Sequence, residues 1–426
     1  MKLVKIFIFA LIFNFTFTLC ANAIEEVNLN FDDNFSKLEI NIPKYEKEKE
    51  ILEEKIPDVE AFDSYESKPQ ADIFSTPWTL QAEIQKSIFE KAKDFWAKQP
   101  DNTDDVSPLF KEQLTWHLNN GPLESLYARA VVQTNMDIMM PEDGNSYSKF
   151  DVNLINILVD GKSRDGKDTY RIMFDASHQH KRPFMQQFIQ DIFYETRRIP
   201  HHSILIGNSR VGTGMEGTQS PYTLPFLQRS QISRNFSNIR KVGVRVRGDY
   251  KYAEYDLGVY SSDTFFSEFM PGAEFNSWIN FKPLANTNEK YGKLLTGTGI
   301  SLGKRHSTDY AVFGAGIEYS YNKFWTRVEY SIANGSNGAT GLSNKNRQGW
   351  YAAVGYKLHK KIEVLARYDE FDPNRSVHKN HIREYTAGIN YYIKGQALKL
   401  VLNYIFRQNQ SGSDSHRILI GTQIAL

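Results

Sequence analysis

The C-terminal residues 398–426 alternate between apolar and polar side chains with a period of two. In the first of two such runs, the apolar positions are Leu398, Leu400, Leu402, Tyr404 and Phe406, and the polar positions are Lys399, Asn403 and Arg407. A second run from 416 to 426 repeats the pattern after a turn at 408–415. Successive side chains of a strand point to opposite faces, so each run predicts a strand with one apolar and one polar face. A soluble sandwich buries such an apolar face, whereas a transmembrane barrel exposes it to lipid.

Alternating runs recur throughout the chain beyond residue 125, and their number and length favour the membrane. The sixteen runs are 128–139, 149–159, 168–177, 186–197, 202–208, 240–249, 252–261, 273–283, 293–304, 309–321, 323–333, 349–358, 360–371, 383–394, 396–407 and 416–426. Membrane-spanning strands need about 9 to 11 residues, whereas soluble strands cluster near five or six. The runs therefore predict an all-β membrane protein, a 16-stranded antiparallel transmembrane β-barrel.

The connections between the runs give a second test. Short links are expected at 249–251, 322, 359 and 394–396, and longer ones at 209–239, 262–272, 334–348, 372–382 and 408–415. Bacterial barrels alternate short periplasmic turns with long external loops. Strict alternation predicts an even strand number and places both termini in the periplasm.

The N-terminal part of the chain differs from the barrel. Residues 1–23 combine Lys2 and Lys5 with an apolar run that ends at Ala21-Asn22-Ala23, which predicts a secretory signal peptide. Residues 24–124 form an acidic periplasmic segment that is helical or disordered, with a helix near 79–98, and residues 125–426 form the barrel. Cys20 is the only cysteine, so the mature chain has no disulfide.

Charge is divided between these two parts. Residues 24–124 hold 11 basic and 23 acidic side chains, a balance of −12, whereas residues 125–426 hold 38 and 27, a balance of +11. The basic residues of the barrel are dispersed along strands and do not form the compact patch that nucleic acid requires. The balance favours small anionic solutes as partners.

Where apolar and charged residues alternate without interruption, each side chain can be assigned to the lipid face or to the lumen. Val242, Val244 and Val246 face lipid, and Arg245 and Arg247 then face the lumen, because a charge on the lipid face costs roughly 2–4 kcal/mol at the midplane. The same logic places further charged side chains on the inner wall: Arg171, Arg327, Lys357, Arg367, Lys399, Arg407, Arg417, Asp175, Glu254, Asp256, Glu318, Glu329, Glu363 and Asp369. Any one arginine can simply pair with a neighbouring carboxylate, so selectivity depends on the arginines left unpaired.

Residues 209–239 form the longest connection between barrel strands. Sixteen strands enclose a lumen too wide to discriminate small solutes, so an inserted element is expected, and this loop is the candidate. Its apolar side chains could pin it to the wall: Leu224, Phe226, Leu227 and Phe236. Arg210, Arg229 and Arg234 would then face the solute path. The alternative is an external loop folded over the mouth.

Three patterns resemble catalytic or ligand-binding motifs, and none is complete. Gly212–Gly217 spells GxGxxG, but Pro221 and Pro225 interrupt the helix that a nucleotide site needs. The pairs His178 with His180 and His201 with His202 have no third metal ligand at a fixed spacing. An enzyme would rely on Asp414, Ser415 and His416, or on His306, Ser307 and Asp309, but adjacent side chains of one strand point to opposite faces.

Several patterns resemble the phosphate-selective porin O and P family of bacterial outer membranes. They are Ile206-Gly-Asn, Gly214-Met-Glu, Leu224-Pro-Phe-Leu-Gln-Arg-Ser230, Arg240-Lys-Val-Gly-Val244, Ala366-Arg-Tyr-Asp-Glu-Phe-Asp-Pro373 and Thr386-Ala-Gly-Ile-Asn-Tyr-Tyr392. The resemblance implies a homotrimeric porin with an inward-folded third loop, placed in outer-membrane lipid by the barrel-assembly machinery. It implies basic residues along the conduit, for which the candidates are Arg210, Arg229, Arg234, Arg245, Arg247, Arg327, Arg367, Lys399 and Arg407, with Leu224 and Phe226 as loop anchors.

The expected function is passive diffusion of small hydrophilic, mainly anionic solutes, phosphate among them, across the outer membrane of a Gram-negative bacterium. Such transport needs no cofactor, because the solute gradient supplies the energy. The alternative is a structural or adhesive barrel whose lumen is occluded by the N-terminal segment.

Overall fold

The computed structural model describes residues 107–177, 188–264 and 267–426, which belong to one compact unit spanning Thr79–Leu426. The predicted signal peptide, the acidic segment up to residue 106 with its helix near 79–98, and His178 and His180 lie outside the described residues. In the described part, no helix is long and apolar enough to cross a membrane.

Seventeen strands form one antiparallel sheet. They are β1 (Thr115–His117), β2 (Leu123–Pro141), β3 (Tyr147–Ser163), β4 (Asp168–Asp175), β5 (Ile189–Thr196), β6 (His202–Arg210), β7 (Arg240–Asp249), β8 (Ala253–Ser261), β9 (Ala273–Phe281), β10 (Lys293–Arg305), β11 (Thr308–Tyr321), β12 (Phe324–Gly338), β13 (Gly341–His359), β14 (Ile362–Asp372), β15 (Ile382–Lys394), β16 (Leu398–Asn409) and β17 (Ser415–Ala425). β17 pairs with β2, so β2 to β17 close into a barrel of 16 strands, and the short β1 only adds to β2. The predicted fold class is confirmed.

The closed barrel follows from the alternation of side chains. On β16 the outward Leu402 and Tyr404 are each 42% exposed, whereas the inward Lys399 is 2% exposed and Asn403 is fully buried. Val244 on β7 is likewise exposed. A slip of one residue would carry the charged row to the outer surface, so this pattern fixes the register.

The strict alternation of short and long links was only partly correct. The end of the barrel where β2 begins and β17 ends has short links at 250–252, 322–323, 360–361 and 395–397, as expected, and a further short link at 197–201. The 282–292 link at the same end is long. At the opposite end, the predicted loop at 334–348 is instead a paired extension of β12 and β13 that turns at 339–340. A bulge between Asn334 and Ser336 makes this possible, because Gly335 there adopts a φ of 67°.

The connection between β6 and β7 contains three short helical elements. They are α1 (Met215–Thr218), a 3-10 helix (Pro221–Thr223) and α2 (Gln231–Phe236). α2 packs against β12, β13 and β14. This connection, called the inner loop below, contributes to a hydrophobic cluster with the inward side chains of the wall, including Val312, Tyr351 and Leu365.

The candidate solute pathway and the loop that narrows it

Hydrogen bonds from wall side chains fasten the backbone of the inner loop along the line of strands from β15 through β17 to β2. Lys399 Nζ donates to the Leu224 carbonyl at 2.8 Å, and Asn390 Nδ2 donates to the Pro225 carbonyl at 2.9 Å. The Leu227 amide in turn donates to Asn403 Oδ1 at 2.9 Å. Two glutamines extend the line: Gln423 donates to the Tyr222 carbonyl and Gln133 donates to the Pro221 carbonyl. The loop therefore lies within the lumen.

Apolar burial adds to these polar contacts. Leu224 is 7% exposed and Phe226 is 3% exposed, so the two predicted anchors are both buried between loop and wall. Leu227 fills the space left by Gly421, because a Cβ at position 421 would lie 2.5 Å from a Leu227 methyl carbon. The wall is thus shaped to receive the loop.

Arg367, predicted to line the conduit, is fully buried beneath the loop. Its Nε donates to Asp369 Oδ2 at 2.6 Å, and its Nη1 donates to the Gln228 carbonyl at 2.9 Å. Its guanidinium carbon lies 4.7 Å from the centroid of the Phe226 ring. Arg367 therefore fastens the loop to β14.

Glu216 ties the two halves of the inner loop together. Its Oε2 accepts the Ser230 amide at 2.7 Å and the Ser230 hydroxyl, at the start of α2, and its Oε1 lies 3.5 Å from Arg367 Nη1. Burial raises the pKa of the Glu216 carboxyl, but the nearby charges of Arg367 and Arg229 lower it further, and the net pKa is below its ordinary value. Glu216 is the only acidic residue in 211–239, and its carboxylate is buried. The loop therefore exposes no negative charge.

The GxGxxG pattern has a structural use. The backbone amides of Met215 and Glu216, which begin α1, donate to the carboxylate of Glu329 at 3.0 Å and 3.2 Å. Gly214 precedes them with a φ of 77°, and a Cβ there would come within 2.5 Å of Glu329 Oε1. The amides that would hold a phosphate are occupied by a wall carboxylate.

Two adjoining cavities run between the inner loop and strands β2 to β9. The first has a volume of about 350 Å³, and the second, of about 690 Å³, extends to the link at 197–201 and to Asp249 at the end of β7. The two cavities have four lining residues in common: Arg197, Thr218, Arg245 and Arg247. Together they form the space called the conduit below.

The narrower cavity of the conduit is lined by arginines on the barrel wall. They are Arg129, Arg171, Arg197, Arg210, Arg240, Arg245 and Arg247. Of the described residues that line this cavity, two are carboxylates, Asp191 and Glu195. The face that the loop presents to them, Thr218 to Tyr222, is uncharged.

Most of these arginines are ion-paired. Arg171 Nε lies 2.6 Å from Asp160 and Arg240 Nε lies 2.6 Å from Asp191. Arg245 pairs with Asp256 across β7 and β8. Arg197 and Arg247 both pair with Glu195. Pairing within the wall fixes the guanidinium groups without neutralising all of them.

Arg129 and Arg210 differ from the rest, because neither forms an ion pair with a described carboxylate. Arg210 donates to the side-chain oxygen of Asn238. The guanidinium carbon of Arg129 lies 5.8 Å from the centroid of the Tyr222 ring, and its Nε is buried without a hydrogen-bond partner. Arg129 was not among the predicted residues. It lies two and four residues before the buried Val131 and Gln133 on β2, so the alternation of the strand indicates that it faces inward.

The other predicted residues lie away from the conduit. Arg234 pairs with Glu384 at 2.6 Å, and Arg407 reaches the same carboxylate at 3.8 Å. Arg327 Nε donates to Glu318 and its Nη1 donates to Gln219 of the loop. Arg229 is 6% exposed and donates to the carbonyls of Glu216 and Gln219. With Lys399, Arg229 and Arg234 line a smaller cavity of about 220 Å³ between the loop and the wall.

The catalytic and metal patterns do not assemble in the described part of the chain. His416 Nδ1 meets the Tyr404 hydroxyl at 2.7 Å within an outward row of aromatic rings, while Asp414 accepts the Asn409 amide. His201 and His202 pack against Tyr250. His306 lies 3.0 Å from Glu268 at a turn. Among described residues no cluster of histidine, cysteine and carboxylate could hold a metal ion.

A closed barrel of 16 strands with a loop folded into its lumen defines the porin class of outer-membrane channels. The family model "Phosphate-selective porin O and P" matches residues 284–425, from the link after β9 to the end of β17. The match covers the last third of the chain and supports the resemblance noted in the sequence.

Solved porin structures share the fold at low sequence identity. The anion-selective porin from Comamonas acidovorans has a TM-score of 0.56 at 11% identity, covering 71% of this chain and 99% of that one. OmpF of Salmonella typhi, in complex with daunomycin, has a TM-score of 0.52 at 13% identity, covering 72% and 99%. The trimer form of OmpT from Vibrio cholerae has a TM-score of 0.51 at 10% identity, covering 71% and 99%.

The comparison with curated protein sequences gives no match. The family match and the fold point to a channel, and they indicate an outer-membrane location.

Proposed function

We propose that this outer-membrane porin lets small hydrophilic anions diffuse passively through the conduit, as a homotrimer with both termini in the periplasm. The single observation that carries the anion preference is the charge of the conduit wall. Seven arginines line the narrower cavity, and the carboxylates that share its lining or pair with its arginines are four: Asp160, Asp191, Glu195 and Asp256. The excess is three positive charges.

The inner loop supports the same preference because it presents no carboxylate to the conduit. Its one carboxylate, Glu216, faces Ser230 and Arg367 and not the conduit. A cation in the narrower cavity would therefore meet the arginines on one side and neutral Thr218 and Tyr222 on the other. The two carboxylates of this lining, Asp191 and Glu195, are already paired with arginines. An anion therefore meets a favourable potential in the narrower cavity, where arginines are in excess.

Two relatives in fold support the finer parts of this proposal by analogy. One solved structure is titled an anion-selective porin and another a trimer form, and both are similar to this chain in fold alone. The short links at 250–252, 322–323, 360–361 and 395–397 lie at the end of the barrel where β2 begins and β17 ends, and short links are typical of the periplasmic end of bacterial barrels.

Single-channel conductance in planar bilayers tests the proposal by exchanging one ion at a time. Replacing chloride by a bulky organic anion at constant potassium should lower the conductance strongly, whereas replacing potassium by lithium at constant chloride should change it little. The matched control is the same pair of exchanges on a cation-preferring porin, which should respond in the opposite order. A conductance that follows the cation would reject the anion assignment, and detergent-purified protein that forms no channel would reject the porin assignment.

A further inference from the structure

The end of the inner loop that faces the conduit is seated on a buried carboxylate of the wall. Glu329 of β12 is 2% exposed and accepts the amides of Met215 at 3.0 Å and Glu216 at 3.2 Å. The hydroxyl of Tyr351, on β13, donates to the same carboxylate at 2.9 Å. These three donors are neutral, so the carboxylate holds the backbone of α1 by hydrogen bonds rather than by a charge pair.

The wall beside Glu329 is shaped to receive the first side chain of α1. A Cβ at Gly297 would lie 2.9 Å from Met215 Cε, and a Cβ at Gly316 would lie 2.9 Å from Met215 Sδ. Both glycines face inward, on β10 and β11, and any larger side chain there would displace the methionine. The seat of α1 therefore consists of Glu329, Tyr351 and the two glycines.

The other end of α1 lies in the conduit. Thr218 lines both of its cavities, and the Thr218 hydroxyl is held back on the helix by the carbonyls of Gly214 and Met215, each at 3.1 Å. α1 is a single turn, so a shift of its first residue moves Thr218 by a similar distance.

We propose that Glu329, supported by Tyr351, is the positioning residue that sets the width of the conduit by holding α1 against the wall. The inference rests on the proposed function, because it concerns the same conduit. The far side of the loop has its own fastenings, at Leu224, Pro225 and Leu227. Without the seat, α1 is held only through Glu216, which contacts Ser230 and Arg367 and whose carbonyl accepts from Arg229. Losing the seat therefore loosens α1 beside the conduit while the rest of the loop stays docked.

The test compares Glu329→Ala, Glu329→Gln and Tyr351→Phe with the parent protein in single-channel recordings. Alanine removes both oxygens that α1 uses, so time spent in reduced-conductance states should rise about tenfold, the change that loss of a buried hydrogen bond produces in an equilibrium. Glutamine offers one oxygen for two amides and should give an intermediate rise, and Tyr351→Phe a smaller one. Asp309→Asn is the matched control, because it neutralises a carboxylate on the adjacent strand β11 whose ion-pair partner, Lys304, lies on β10 and not in the loop.

A chemical probe gives an independent readout. Cys20 is the only cysteine and lies in the predicted signal peptide, so Thr218→Cys supplies a single thiol in the mature protein. Modification of that thiol by a small anionic methanethiosulfonate reagent should change in rate when Glu329→Ala is added. The Thr218→Cys protein alone sets the reference rate, and heat-modifiable gel migration shows that each variant is folded.

The proposal is overturned if folded Glu329→Ala channels show the parent's distribution of conductance states and the parent's modification rate at position 218. If Glu329→Ala does not fold, Glu329→Gln and Tyr351→Phe carry the same comparison, and parental behaviour in both overturns it. A parent channel that prefers cations would reject the anion assignment, but the effect of Glu329 on conductance states would still be measurable. The two failures are therefore distinguishable.

Discussion

Replacing Arg129 and Arg210 together by glutamine should remove most of the anion preference. These are the conduit arginines that form no ion pair with a described carboxylate, so their loss leaves no newly orphaned acid in the wall. The five other arginines keep their partners Asp160, Asp191, Glu195 and Asp256. The perturbation therefore changes charge with little change in structure.

The size of the conduit sets the expected magnitude. A sphere of the narrower cavity's 350 Å³ has a radius of about 4.4 Å, so a centred ion lies about that far from each lining charge. One charge at about 4.4 Å in water is worth about 0.9 kcal/mol, which salt near 0.1 M reduces to about 0.6 kcal/mol. Two such charges change chloride partitioning about eightfold, and potassium changes by the same factor in the opposite direction.

Reversal potentials measured across a potassium chloride gradient provide the assay. The reversal potential of the Arg129→Gln, Arg210→Gln double variant should shift from the chloride equilibrium potential towards zero. The double lysine variant keeps both charges, so its reversal potential should stay close to that of the parent. Lys345→Gln, in the exposed extension of β13, controls for a lost charge outside the conduit. A parental potential in the glutamine variant would refute the electrostatic argument, and an equal shift in the lysine variant would show that geometry rather than charge is responsible.

Three other substitutions test the fold and the docking of the loop. Val244→Arg places a charge on the outer face and should cost about 2–4 kcal/mol in folding free energy measured by urea titration in vesicles, whereas a small cost, near that of Val244→Ala, would contradict the lipid-facing assignment. Phe226→Ala empties the site between loop and wall, at about 3–5 kcal/mol, and should raise open-channel current noise in a barrel that still folds; quiet channels would mean that Phe226 does not hold the loop. Gly207→Ala should lower the folded fraction on heat-modifiable gels, because Gly207 has a φ of 133° and its added Cβ would lie 2.2 Å from the Ile192 carbonyl oxygen, whereas Gly161→Ala, with 3.4 Å to its nearest neighbour, should fold normally.

The strands were predictable because the barrel imposes one simple rule on every residue. Side chains on the outer face meet lipid and are apolar, whereas side chains on the inner face are often charged, so the alternation is visible in the sequence. For this reason β7 was predicted at its observed bounds, 240–249. The rule failed at 334–338, where a glycine-rich stretch typical of loops is instead a bulged, paired strand end. Pairing there depends on the close approach of Gly338 to the Asn235 carbonyl, a contact that local sequence does not report.

The loop was predictable as an inserted element, but its contacts were not. Leu224 and Phe226 were identifiable as anchors because they are large apolar residues in a connection expected to meet water, and both are buried. The roles of Arg229 and Arg367 depend on which backbone carbonyls fold back onto them, which is a tertiary property. Alternation could have identified Arg129. Only the closed barrel shows that this arginine faces Tyr222 and forms no ion pair with a carboxylate of the described residues.

The most direct measurement of the central claim is the reversal potential of the parent protein in a planar bilayer with a potassium chloride gradient. Because arginines line the conduit and the loop exposes no acid to it, we expect a reversal potential displaced towards the equilibrium potential of chloride. A potential displaced towards that of potassium would contradict the account.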